Sequence, residues 1–218
     1  MSDTAPYASG TPLAVHTEHG YLHGQLALPA DAAGLVVLAQ TGSRPAAHDE
    51  ALAAVLRQSG LATFTIDLLA QQEEHFPDAQ TNVPLLTKRL LECLGLIKRQ
   101  MLNEEIPAMR IGLCASGHGS PVVVRAAALR DHDIAAVVCR GGLIDLAGML
   151  YLRSLESPLL LCVGETDAHL ISNSRRALQE ISCGKALEII PASDSEFASA
   201  TAFETMAQRT GSWFITHF

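Results

Sequence analysis

The chain has 218 residues, 48% of them hydrophobic and 17% charged, which supplies a sizeable core and excludes a disordered composition. Its net charge of -8 and the scatter of its 15 Lys and Arg leave no basic face for DNA or RNA. No apolar run reaches the roughly 18 residues of a membrane span, and residues 1–10 hold neither a basic residue nor an apolar stretch, so a cytoplasmic protein without membrane contact is expected.

Residues 1–12 read as a flexible tail and 13–218 as a single domain. Val15 to Thr17 and Tyr21 to Leu28 alternate around Gly20 and predict a hairpin. Leu35 to Ala39 is an apolar run of strand length, followed by a loop over Gln40 to Ala47. His48 to Ser59 predicts an amphipathic helix stopped by Gly60, and Leu61 to Asp67 a strand. Ala70 to Thr81 is polar and loop-like. Leu86, Leu90, Leu94 and Ile97 recur at helical spacing within Val83 to Met101. Strands are then predicted at Met109 to Ala115, Ile134 to Cys139, Leu159 to Val163 and Ala186 to Ile190. Helices are predicted at Gly119 to Arg130, Ile171 to Ile181 and Ala200 to His217, with Arg140 to Glu156 mixed. Alternating helices and apolar strands imply a three-layer, doubly wound α/β domain on a mostly parallel sheet of about eight strands.

The five Cys, at 93, 114, 139, 162 and 183, are odd in number and mostly sit in apolar runs, so reduced, buried thiols are expected. Cys114, Cys139 and Cys162 form the sharper metal alternative. His16, His19 and His23 fall in the hairpin, where 16 and 19 point to opposite faces, so no metal site is expected there either.

Ligands of such a sheet sit beyond the carboxyl ends of its strands. The most informative of these ends is Cys114-Ala115-Ser116-Gly117-His118-Gly119, a strand running through small residues into a helix. Two chemistries use this geometry: a phosphate-cradling glycine turn and a nucleophile elbow. The dinucleotide fingerprint fails, because Val122 stands where its third Gly belongs, so no cofactor is expected. As an elbow, three registers are open. Ser116 is flanked by Cys114 and His118, Cys114 by Gly112 and Ser116, and Gly117 by the small Ala115 and Gly119, which fits best sterically. The N–H groups of Gly117, His118 and Gly119, with Gln40, Thr41 and Gly42 opposite, make an expected ligand-binding set.

The chain resembles the dienelactone-hydrolase-like branch of the α/β-hydrolases from about Leu26 to its end. The resemblance rests on Leu26-Ala27-Leu28-Pro29, Gly60-Leu61-Ala62-Thr63, Asp67-Leu68-Leu69, Arg140-Gly141-Gly142, Asp145-Leu146-Ala147-Gly148, Val163-Gly164, Asp167 and Ile190-Pro191. It implies an α/β-hydrolase fold and a Ser or Cys nucleophile with Asp and His, acting on esters or lactones. Carried over by position, the nucleophile falls on Gly117, the acid on Asp167, the histidine on Ser195, and the His-Gly of the oxyanion loop on Gln40-Thr41. Only the acid matches.

Hydrolysis by that route needs an imidazole to deprotonate the nucleophile. After Asp167 the histidines are His169, two residues past the acid, and His217, at the end of the last helix, and neither occupies the expected loop. The expected function is therefore a degenerate hydrolase that binds a small ester, lactone or carboxylate-like ligand, or a protein partner. The alternatives are an active ester or lactone hydrolase using Ser116 or Cys114 with an unusual base, and a repurposed pocket using His118 and Asp167 as acid–base groups.

Overall fold

The computed structural model describes residues 10–18, 20–42, 46–70, 73, 76–129 and 133–218. Eight strands form one sheet: β1 (Thr11–Thr17), β2 (Gly20–Ala27), β3 (Leu35–Gln40), β4 (Ala62–Asp67), β5 (Ile111–Ser116), β6 (Ile134–Arg140), β7 (Leu159–Gly164) and β8 (Lys185–Ile190). The helices are α1 (Ala46–Gln58), α2 (Pro77–Gln80), α3 (Val83–Leu102), α4 (Gly119–Leu129), α5 (Met149–Arg153), α6 (Ala168–Gln179) and α7 (Ala200–His217), with a 3₁₀ turn at Ile144–Ala147. The strand order is β1-β2-β4-β3-β5-β6-β7-β8. The hairpin β1–β2 forms one edge and joins β4 antiparallel; every later pairing is parallel. The expected α/β-hydrolase fold, a mostly parallel, doubly wound sheet, is observed.

The central strands are apolar throughout because both of their faces are covered. Leu35, Val37, Leu113, Val137 and Leu161 pack with α3, α4 and α6 on one face. Val36, Leu38, Cys114, Val138 and Cys162 pack with α1 and α7 on the other. The leucine stripe of α3 is fully buried at Leu86, Leu90 and Ile97, each such side chain contributing about 1.5–3 kcal/mol. Asn82 starts this helix by accepting the Leu85 N–H at 3.2 Å.

Several expectations need correction. Strand β1 begins at Thr11, because Thr11 and Pro12 pair with Leu26 and Gln25, so the tail as expected runs two residues too far. Residues 1–9, His19, and Arg130 at the expected end of α4 lie outside the described residues. The polar 70–81 stretch contains the short α2, started by Pro77. Helix α6 starts at Ala168, three residues before the expected Ile171. Cys139 faces α4 while Cys114 and Cys162 face α1 and α7, so the three thiols do not converge. His16 and His23 are exposed, and among the described residues no His, Cys, Asp and Glu group suits a metal. Nor is any described helix long and apolar enough to cross a membrane.

Two ion pairs built on buried arginines tie the elements together, one of them buried on both sides. Arg89 of α3 forks onto Glu73 at 2.6 and 2.8 Å and donates to the Leu68 carbonyl at 2.8 Å, tying the chain after β4 to α3. Arg140, at the end of β6, is fully buried against Asp49 of α1. Removing one partner strands the other charge in the core, so Asp49→Ala should cost about 3–5 kcal/mol in urea unfolding. Asp49→Leu combined with Arg140→Met should recover most of it; a double variant as unstable as the single would refute this account.

Burial also sets the thiols. It pushes Cys93 up to about 12, helped by Glu92, and Cys162 up to about 12, helped by Cys114. Cys139 is raised by burial too. The folded chain therefore keeps its thiol protons where the unfolded chain, ionising near 9.0, loses them. Stability should be fully present below pH 9 and fall as pH rises toward 12, an effect that Cys93→Ala would reduce. At pH 8, the half-buried Cys183 should react first with a thiol reagent.

Candidate functional site

The carboxyl ends of β3, β5, β6 and β7 meet around Gly117. Its φ of 50° lies in the left-handed region, as the sharp turn between β5 and α4 requires. The Gly117 N–H donates to the Arg140 carbonyl at 3.0 Å, and its own carbonyl accepts the Ser120 N–H at 3.1 Å. A Cβ on Gly142 would lie 2.3 Å from that carbonyl, so glycine at 142 is what lets the two turns touch. One expectation fails here: the Gly117 N–H is already spent and is no ligand donor. The N–H groups of His118 and Gly119, at the start of α4, have no acceptor within the helix.

The groove beside this turn has a volume of about 460 Å³. Gly117, Gly141 and Gly142 form one wall and Leu143, Leu146 and Leu170 another. Its ionisable side chains are His118, His169 and Glu196, from the start of α4, the first turn of α6 and the β8–α7 loop. The sequence reading places His118 here but sets His169 aside as lying outside the expected loop.

The other expected residues are scattered. Cys114 is fully buried among the apolar residues under α1 and α7, and burial raises its thiol, with Arg140 opposing and Asp49 adding to the rise. Ser116 ends β5, is buried, and pairs in register with Arg140; it does not line the groove. Gly119 packs beneath the turn, where a Cβ would meet Ala115, the Ala39 carbonyl and Thr41. Thr41 is buried there. Gln40 pairs with Asp67 and opens instead onto a separate cleft of about 230 Å³ beside β2 and β4, with His23 and Glu50. Gly42 is exposed, with φ 67°, near Leu69 and Gln80. The expected facing set of Gln40, Thr41 and Gly42 is therefore not assembled on the groove, because β3 delivers them toward β4 and beneath α4.

Asp167 follows β7 by three residues and opens α6. Its side chain does not cap the helix, because Oδ2 accepts the Ser195 N–H at 3.2 Å. Ser195 is buried, and its Oγ accepts the Gly164 N–H at 3.2 Å. The loop carrying Ser195 lies directly on the end of β7: a Cβ on Gly164 would sit 2.1 Å from the Asp194 carbonyl carbon. Thr166 N–H to Ser193 O at 3.1 Å and Ala192 N–H to Glu165 Oε2 at 2.9 Å add further ties. These bonds hold Ala192 and Phe197 at φ 50° and 52°, a conformation costing each about 1–2 kcal/mol. The buried Phe197 ring anchors the loop.

The Arg140–Asp49 pair was not anticipated. Its signal is present in retrospect: Asp49 shares a helical face with Leu52, Ala53 and Leu56, and Arg140 ends an apolar strand.

No family model matches the chain. Two Mycobacterium tuberculosis proteins, from different strains and each provisionally named a phosphoribosyl transferase, are 32% identical over 197 residues. The match takes in 89% of this chain, which spans 43% of the length of those relatives. A dienelactone hydrolase from Anabaena variabilis is 30% identical with a TM-score of 0.90, over 98% of this chain and 100% of that one. Est1E from Butyrivibrio proteoclasticus shares the fold at 12% identity and a TM-score of 0.79, covering 96% and 99% of the two chains. On the agreement of sequence and fold with the Anabaena protein along its whole length, the chain belongs to the α/β-hydrolase superfamily, in its dienelactone-hydrolase-like branch.

Proposed function

We propose that this protein binds a small acyl or carboxylate-type ligand in the groove beside Gly117 and does not run a Ser-His-Asp relay. The observation carrying this reading is the pairing of Gly117 at the tip of the turn with Ser195 on the acid, Asp167. The tip has no nucleophilic atom. The acid holds a backbone N–H, and the hydroxyl that replaces the imidazole is a far weaker base at neutral pH. Ser116 and Cys114, the alternative nucleophiles, are buried away from the groove. A cytoplasmic setting and a protein partner at the same groove remain part of the proposal. The transferase name of the mycobacterial proteins is not carried over, since more than half of each lies outside the match.

Wild-type turnover of p-nitrophenyl acetate and butyrate should equal that of Ser116→Ala and Cys114→Ala, all near background. A clear rate that disappears in either variant would overturn the reading. Gly117→Ala should cost on the order of 1 kcal/mol in denaturant unfolding, because a Cβ is disfavoured at positive φ. Gly117→Ser with Ser195→His reports on the remaining donors. A gain in turnover means that the His118 N–H meets an oxyanion, for which it must sit within about 1 Å of its place.

A further inference from the structure

We propose that His118 and His169 act as a base and acid pair for proton transfer at a carbon next to a carbonyl. The proposal rests on the ligand-binding reading of the groove and adds a reaction to it. The two imidazoles reach one groove from different elements, His118 from the start of α4 and His169 from the first turn of α6. Both are exposed, and with Gly117 between the turn and the ligand space no side chain fills the place of a nucleophile.

The second observation is a chain of side-chain contacts along α6 that favours one tautomer of His169. Arg176 donates to Asn173 Oδ1, which commits the Asn173 amide nitrogen to the other side. That nitrogen lies 3.4 Å from His169 Nδ1. An NH₂ group can only donate, so this contact favours the tautomer in which Nδ1 accepts and Nε2 carries the ring proton. His169 therefore presents Nε2–H, a donor suited to a carbonyl oxygen, and the proton acceptor of the pair is His118.

The step balances without any co-reactant. A His118 ring nitrogen takes the α-proton, and the C–H electron pair becomes the new C=C bond. The carbonyl π pair moves onto oxygen, which accepts a hydrogen bond from His169 Nε2–H, giving an enolate while that proton stays on His169. The His118 imidazolium exchanges its proton with solvent and returns one to carbon, which restores the carbonyl compound with solvent hydrogen in place of the original and leaves both imidazoles neutral. The chemical class of ligand is thus a neutral carbonyl compound with an acidic α-C–H. Glu196, the third ionisable group of the groove, is the competing base.

The test uses ethyl 2-methylacetoacetate in D₂O, in a buffer free of imidazole, with heat-denatured protein as the control. Proton NMR reads exchange at the single C2 proton, and ethanol release reads ester cleavage, in the same tube. The expected result is accelerated exchange without ethanol, a loss of about 100-fold in His118→Gln, and a clear loss in His169→Gln. The ¹⁵N shifts of His169 should show Nδ1 as the unprotonated nitrogen. No exchange above the control overturns the proton-transfer proposal and leaves the binding reading intact. So does exchange unchanged in His118→Gln, or lost only in Glu196→Gln. Ethanol release abolished by Ser116→Ala or Cys114→Ala overturns the binding reading instead.

Discussion

Arg140 acts at two levels. Its carbonyl takes the Gly117 N–H, and its guanidinium, fully buried, takes Asp49 from α1. One residue at the end of β6 therefore sets both the turn after β5 and the helix packed over the opposite face. Such a pair is weak as a source of net stability, because removing two charges from water offsets most of their attraction. Its effect is on geometry: an unpaired charge in that position is so unfavourable that alternative packings of α1 against the sheet are suppressed. The glycine contacts at 142 and 164 then determine how closely the loops can lie on the strand ends.

The fold was legible because its signals are collective. Uninterrupted apolar runs such as Leu159 to Val163, and the α3 leucines at three- and four-residue spacing, each reflect many side chains answering one constraint. The turn at Gly117 was legible for a different reason, a steric one: of the three registers open over Cys114 to Gly119, the one with Gly117 between Ala115 and Gly119 fits best. What stayed hidden depends on pairing across distance. Nothing local to Asp49 names Arg140 as its partner 91 positions away. Nor does the sequence show that Gln40 turns toward β4, since that follows from strand order. His169 was set aside for its position in the chain, whereas its place in the groove follows from α6 beginning at Ala168.

Around Asp167 the chain is held by closely spaced hydrogen bonds between two loops. The loop from Pro191 to Phe197 holds two residues at positive φ, and a set of hydrogen bonds ties it to residues 164–167. Backbone conformation there is over-determined by these ties, one of which the Ser195 hydroxyl itself supplies. The Asp167 carboxylate accordingly holds the Ser195 backbone amide.

Among the described residues, β1 and β8 form the two margins of the sheet, and their composition bears on how the molecule behaves in a crowd. An exposed strand edge is a template onto which other chains can add, in fibrils or in non-native aggregates. Strand β1 carries Pro12, which has no N–H to offer an incoming strand, and it is only seven residues long. At the far side, β8 is six residues long and interrupts its apolar sequence with Lys185 and Glu188. A newcomer in the register that sets Glu188 against its own copy would bring like charges together. The sheet thus ends at both margins in residues that resist further growth, which favours a protein that stays dispersed at high concentration.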